Sequence, residues 1–279
     1  MKFRRAEKRQ AKLRLAITGP AGAGKTYGAL LVAKGLGGKI AMIDTENNSG
    51  DFYANLCEYD VGTITAPYDV RKYLIAIQEA EKAGYDVLII DSLSHAWSGE
   101  GGLLDVQGKI ADSSKSGNSF TAWRQVTPWH NKLINTILTS KCHVIATMRS
   151  KMDYIQVQND KGKTEIKKVG LAPIQREGIE YEFGTVFDLN TSHLATVSKD
   201  RTSLFDGKIF QLSEETGQVL KKWLNSDSME CRSKKIYNSF LEKFDGNEEQ
   251  AKSAILGVTN GRGSKDWTEE DIENLENAV

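Results

Sequence analysis

"GPAGAGKT", residues 19–26, is the stretch on which the reading of this chain turns. It has the spacing G-x-x-x-x-G-K-[ST]. It stands between an apolar run, "LRLAIT" (13–18), and a helical pattern from Lys25 to about Leu36 that "GG" (37–38) closes. Strand, glycine turn and helix in that order are the context the spacing needs. The chemistry accounts for the residue types. Gly19, Pro20, Ala21, Gly22, Ala23 and Gly24 make a loop whose backbone N–H groups can turn inward on a phosphate, and the helix N-terminus adds partial positive charge. Lys25 reaches the β- and γ-phosphates, and the Thr26 hydroxyl holds Mg2+. The stretch therefore predicts a site for ATP with Mg2+.

Two carboxylates belong beside it. Asp91 closes the apolar strand "YDVLIID" (85–91), from which a carboxylate serves the magnesium side together with Thr26. Glu46 follows the strand "KIAMID" (39–44) and so reaches the same carboxyl edge of the sheet, where it would orient or deprotonate the attacking water. Asp44 and Glu100 are rivals for that role.

Continuous apolar strands of this kind are buried on both faces of a parallel sheet. "CHVIAT" (142–147) is another. "DVRKYLIAIQEAEKAG" (69–84) is an amphipathic helix with an Asp start and a Gly stop. The Gly/Ser-rich stretch 98–118 reads as a long loop. A helical pattern resumes near Ser119 and again at Thr127, with Thr127 as cap and Pro128 at the first helical position. "KMDYIQVQNDKGKTEIKKVGL" (151–171) alternates, turns at "NDKG" and alternates again, as a β-hairpin does. Three short runs then follow at 182–190, 193–199 and 208–212, linked too tightly to be parallel, and a helix closes the core. Beyond residue 226 come three short amphipathic helices, the last opened by a capping box from Thr268 to Asp271. The expected organisation is a basic arm (1–12), an α/β core (13–226) with a mostly parallel central sheet and an antiparallel C-terminal edge, and a small all-α domain (227–279).

At 279 residues, 39% of them apolar and 27% charged, the chain can bury one large core and a small appendage. No run of 18 apolar residues occurs, so no membrane partner is expected. The opening "MKFRRAEKRQAKLRL" is basic without an apolar signal core. Cys57, Cys142 and Cys231 are scattered, as in a reducing cytoplasm, and His95, His130, His143 and His193 lack metal-ligand spacing. Net charge is zero but uneven. Residues 1–14 carry seven Lys/Arg against one Glu, and residues 226–279 carry twelve Asp/Glu against seven Lys/Arg. That asymmetry fits a nucleic-acid-facing end with an acidic tail, or simply a solvated arm and solvated helices.

The glycine loop, "AMIDTEN" (41–47), "LIIDS" (88–92) and the antiparallel C-terminal edge together resemble the RecA-like P-loop ATPase core, over about residues 12–225. "VIATMRSKMDY" (144–154), "KKVGLAPIQREGIEYEF" (167–183) and "SKDR" (198–201) look like the phage-encoded group linked to single-strand annealing and recombination. In that family a glutamate after the second strand is the catalytic carboxylate, a role the resemblance assigns to Glu46. "SKDRTS" resembles the K-x-R motif of ring ATPases, whose two cations reach the γ-phosphate held by the neighbouring subunit. Lys199 and Arg201 would then act as a finger, two residues apart on one face of a strand. A solvated strand end is the alternative. The family often places a polar sensor after the strand ending at Thr147. Here Thr147 and Met148 stand where a glutamine is familiar, and Thr147, Arg149 and Lys151 are the candidates.

The resemblance implies an ATP hydrolase that acts on single-stranded DNA, as a homo-oligomer (ring or filament) with nucleotide between subunits, in the cytoplasm of a phage's bacterial host. Residues 149–176 carry seven Lys/Arg against three acids, interleaved with Tyr154, Ile155 and Val157. Clustered cations attract phosphates and an aromatic can stack on a base. Lys151, Lys161, Lys163, Lys167, Lys168 and Arg176 are therefore candidate DNA contacts, with a solvated hairpin as the alternative. The C-terminal helices would recruit a single-strand-binding protein or cap the core. A ring helicase or helicase loader, and an ATP-controlled oligomeric binding module with little turnover, remain competing readings.

Overall fold

The structure, a computed structural model, describes residues 12–113, 119–158, 164–225 and 229–279. The elements run β1 (Arg14–Gly19), α1 (Lys25–Leu36), β2 (Ile40–Asp44), β3 (Asp60–Thr63), α2 (Val70–Lys82), β4 (Val87–Asp91), α3 (Ser94–Ser98), α4 (Leu103–Ser113), α5 (Ser119–Thr139), β5 (His143–Gln158), β6 (Thr164–Pro173), β7 (Thr185–Leu189), β8 (Leu194–Asp200), β9 (Ile209–Gln211) and α6 (Glu214–Leu224). Three further helices follow: α7 (Met229–Lys243), α8 (Glu248–Val258) and α9 (Glu269–Ala278).

The strands order as β3-β2-β4-β5-β1-β7-β8-β9, with β6 paired to β5 off that path. β1, β2, β3, β4, β7 and the first half of β5 are parallel; β6, β8 and β9 attach antiparallel. This is the expected α/β P-loop core, mostly parallel with an antiparallel C-terminal edge. All five residues of β2 and of β4 are buried, which is why they read as unbroken apolar runs rather than alternating ones. One core cluster joins β4 and β5 to the inner faces of α2 and α5 through Ile77, Leu88, Ile90, Leu133, Ile137 and Val144.

Helix α1 crosses α6 on glycine. A Cβ on Gly217 would lie 2.1 Å from the Val32 carbonyl oxygen, and one on Gly35 would lie 1.9 Å from that of Glu214. No side chain fits between these backbones.

Three expectations are corrected and one strand is added. The stretch 98–118 is no long loop, because α4 occupies Leu103–Ser113. Its Leu103 and Ala111 are buried and Ile110 packs on the core, a helical spacing that the surrounding Gly and Ser obscure. Pro128 lies inside one continuous helix, α5, and opens no second one. The missing proline N–H removes a single bond from a 21-residue helix that packing holds on both sides. "CHVIAT" and the first arm of the hairpin are a single strand, β5, and the "NDKG" turn lies outside the described residues. The edge strand β3, "DVGT", is too polar and short to show as a strand pattern.

The chain divides into two compact units, the second running from Lys221 to Val279. Within the second, Ile236, Phe240, Ala251, Ile255, Trp267, Ile272 and Leu275 form a core of their own. The Thr268–Asp271 capping box opens α9 as expected, and Arg262 pairs with Asp271 at 2.5 Å. Among the described residues, no helix is long and apolar enough to cross a membrane.

Candidate active site

The phosphate loop leaves β1 at Gly19 and enters α1 at Lys25. Gly22 and Gly24 take φ of 74° and 84°, the left-handed region that lets successive N–H groups face one point. A side chain at Gly24 would also lie 3.2 Å from His193 Nδ1. The Lys25 ammonium donates to the Pro20 carbonyl at 2.8 Å, folded across its own loop. Burial pushes its pKa down, while Asp91 and Glu46 pull it up and Arg149 lowers it further. Lys25, Asp91, Glu46 and Arg149 therefore share one electrostatic neighbourhood.

β5 runs between β1 and β4, and this places three oxygens together. Asp91, 2% exposed at the end of β4, accepts a hydrogen bond from Thr26 Oγ1 on one carboxylate oxygen and from Thr147 Oγ1 on the other, both at 2.5 Å. Burial raises the Asp91 pKa and the two hydroxyls oppose it. Thr147, a sensor candidate, is itself fully buried and spent on Asp91. A carboxylate and a threonine hydroxyl in direct contact are the hard oxygen donors Mg2+ takes, so Thr26 and Asp91 fit that ion.

Glu46 lies in the turn after β2. Its two oxygens meet one guanidinium: Arg149 Nε donates to Oε1 at 2.9 Å and Nη2 to Oε2. Burial pushes the Glu46 carboxyl up, but Arg149, with His95 behind it, outweighs that and holds it below its ordinary value. Of the rivals, Asp44 is fully buried and both its oxygens are taken by backbone, from Glu46 N at 2.6 Å and Gly50 N at 3.0 Å. Asp44 shapes the turn that presents Glu46. Glu100 is exposed on the turn between α3 and α4. A second layer supports the pair. Thr45 Oγ1 contacts His95 Nδ1 at 2.7 Å and accepts the Ser92 N–H at 2.8 Å, and His95 stacks on Tyr68 at 4.6 Å.

Lys199 and Arg201 lie at the other end of the sheet. Asp200 pairs with Thr185, which pairs with Leu15 near the start of β1, and the Arg201 N–H donates to Gly184, whose own N–H donates to Arg14. From Arg14 to Gly19 a strand advances about 16 Å, beyond the reach of either side chain. The shared-face expectation is also corrected, because the β7–β8 register shifts near Lys199 and β8 ends at Asp200, leaving Arg201 in the turn. Lys199 Nζ donates to the carbonyls of Glu180 at 3.0 Å and Tyr181 at 2.6 Å.

Of the DNA candidates, Lys151 is exposed on β5, whereas Lys167 and Lys168 sit in β6 opposite Ile155 and Tyr154. Lys161 and Lys163 lie outside the described residues. Arg176 is past the hairpin, in a cleft against α5. A feature the motifs did not reveal is a cleft of about 440 Å³ beside the loop, lined by Tyr27, Tyr53, Leu189, His193, Gln211 and Leu212. Only Tyr27, directly after "GKT", carries a local signal of it; the rest arrive through folding.

A glycine loop on a central strand, a buried carboxylate on a nearby strand and a glutamate at the same edge define a P-loop nucleoside triphosphatase. A family model described as an AAA domain matches residues 11–219, and the chain belongs to that family of AAA-type P-loop ATPases. No curated protein matches it.

Proposed function

We propose that the chain binds and hydrolyses ATP at this loop, that a neighbouring copy completes the site, and that the enzyme works on single-stranded DNA in recombination or strand annealing. The observation that carries the reading is the convergence of Thr26, Asp91, Thr147, Glu46 and Arg149 beside Lys25.

The triphosphate lies along the loop with its nucleoside half in the aromatic cleft at Tyr27 and Tyr53 and its γ-phosphate toward Glu46. Lys25 leaves the Pro20 carbonyl for the β- and γ-oxygens. Thr26 and Asp91 would hold Mg2+, which supplies charge neutralisation on the phosphates. Glu46 takes a proton from water as the water oxygen bonds to the γ-phosphorus and the bond to the β-phosphate oxygen breaks, releasing ADP and phosphate. Lys199 and Arg201 cannot reach their own loop, so as finger cations they serve the loop of the next copy. β5 runs from Thr147 and Arg149 straight into the hairpin that carries Lys151, which favours coupling between nucleotide and a strand bound there.

The Glu46–Arg149 pair favours one second reading, an ATP-controlled oligomeric module with slow turnover, because it occupies both oxygens of the base. Phosphate release measured with and without single-stranded DNA across protein concentration separates the two. The hydrolase reading expects DNA stimulation, a steep concentration dependence, and loss of turnover with retained ATP binding in Arg201→Ala. A rate per subunit flat in concentration and indifferent to DNA leaves only the binding module.

A further inference from the structure

Ser92 directly follows Asp91, and its backbone ties two strand ends together. The register that pairs Asp44 of β2 with Asp91 of β4 carries on past both strands, so Thr45 stands beside Ser92. The Thr45 N–H donates to the Asp91 carbonyl at 2.7 Å, and the Ser92 N–H donates to Thr45 Oγ1 at 2.8 Å. Thr45 Oγ1 also lies 3.3 Å from the Ser92 carbonyl. Glu46 comes next after Thr45. Glu46 and Ser92 are therefore held on neighbouring strand ends, whatever the Glu46 side chain does.

The Ser92 hydroxyl is the unused group in this frame. Ser92 is fully buried, and its Oγ has no hydrogen-bond partner among the described residues. A buried hydroxyl left unbonded is costly, and a native fold that keeps one there needs a reason for it. Its neighbour is the Glu46 carboxyl. Burial raises that carboxyl, Arg149 lowers it, and the Ser92 hydroxyl adds to the lowering from close by. Glu46 has no oxygen to spare in this arrangement, because Arg149 holds both. Hydrolysis needs one of them for the water.

We propose that Ser92 is a positioning residue for the base. When Arg149 turns one N–H from Glu46 to a nucleotide phosphate, the Ser92 hydroxyl donates to the carboxylate in its place, and the freed oxygen faces the attacking water. The inference rests on the reading of Glu46 as the base. A carboxylate left with a single donor swings about its side-chain torsions, and a second donor fixed to the end of β4 stops it at the attacking geometry. The neighbouring Asp91 cannot be the group Ser92 serves, since its two oxygens already accept from Thr26 and Thr147.

The test is Ser92→Ala, alone and combined with Glu46→Gln, followed by kcat, KM, ATP affinity and a thermal melt. Because the hydroxyl bonds nothing in the free protein, Ser92→Ala should keep its melt, its KM and its ATP affinity. Its kcat should fall by about tenfold or more, the scale of one hydrogen bond to a charged group. In the Glu46→Gln background, the same change should cost nothing further, as expected of two residues acting through one step. An unchanged kcat overturns the proposal, and so does an equal loss in both backgrounds, which would free Ser92 from Glu46. A lowered melt makes the hydroxyl a structural group, and weakened ATP affinity assigns it to the magnesium side; either result also overturns it. If Glu46→Gln alone keeps full turnover, the reading of Glu46 as the base fails first, and the role of Ser92 falls with it.

Discussion

Glu46 and Arg149 stand 103 residues apart in the chain and meet through two parallel hydrogen bonds. Neither position alone announces the pairing. Lys25 and Thr26 were legible because their partners sit within one local turn, and Asp91 because an apolar strand ended on it. Arg149 was legible only as a polar residue after a strand, since its partner depends on β2 and β5 being brought to one edge. The pair has a measurable consequence. Burial alone raises the Glu46 carboxyl, and Arg149 is what holds it below its ordinary value. A base works deprotonated, so turnover falls as pH drops through the carboxyl's pKa, and Arg149 pushes that acidic limb down. With Arg149→Ala the burial contribution stands unopposed by the guanidinium. The acidic limb of the kcat profile should then move to higher pH, because the close cation that favoured the carboxylate is gone. An unmoved limb in that variant would show that Glu46 is not the titrating base.

At the scale of elements, long buried segments declared themselves and polar or interrupted ones did not. β2 and β4 were plain because burial on both faces demands apolar residues throughout. β3 and α4 were hidden, the first by a polar edge and the second by Gly and Ser around a sound helical spacing. The crossing of α1 and α6 was also invisible, since it depends on glycines 182 positions apart in the chain, Gly35 and Gly217, meeting backbone to backbone. Gly217→Ala should force those helices apart and cost about 1–3 kcal/mol, the range for overpacking. For a domain of this size that lowers Tm by roughly 2–12 °C, readable in a thermal melt. A melt indistinguishable from wild type would mean that the crossing yields without cost.

At the scale of the whole molecule, the sheet carries charged groups at both of its ends. Its carboxyl edge gathers Lys25, Thr26, Asp91 and Glu46, and its opposite edge holds Lys199 and Arg201. The K-x-R spacing placed those cations at a strand end, but only the strand register revealed which end of the sheet that was. The same register makes a finger acting within one chain unworkable and turns the finger reading into one about assembly. The base role of Glu46 and the finger role of Lys199 and Arg201 both depend on the carboxyl edge performing hydrolysis. The most direct measurement is Mg2+-dependent phosphate release from ATP by wild type and Glu46→Gln, with nucleotide binding followed in parallel. The account predicts that both bind ATP and that the variant loses about 100-fold or more in turnover, as expected when a positioned base is removed. Equal rates in the two proteins, at matched binding, would contradict it.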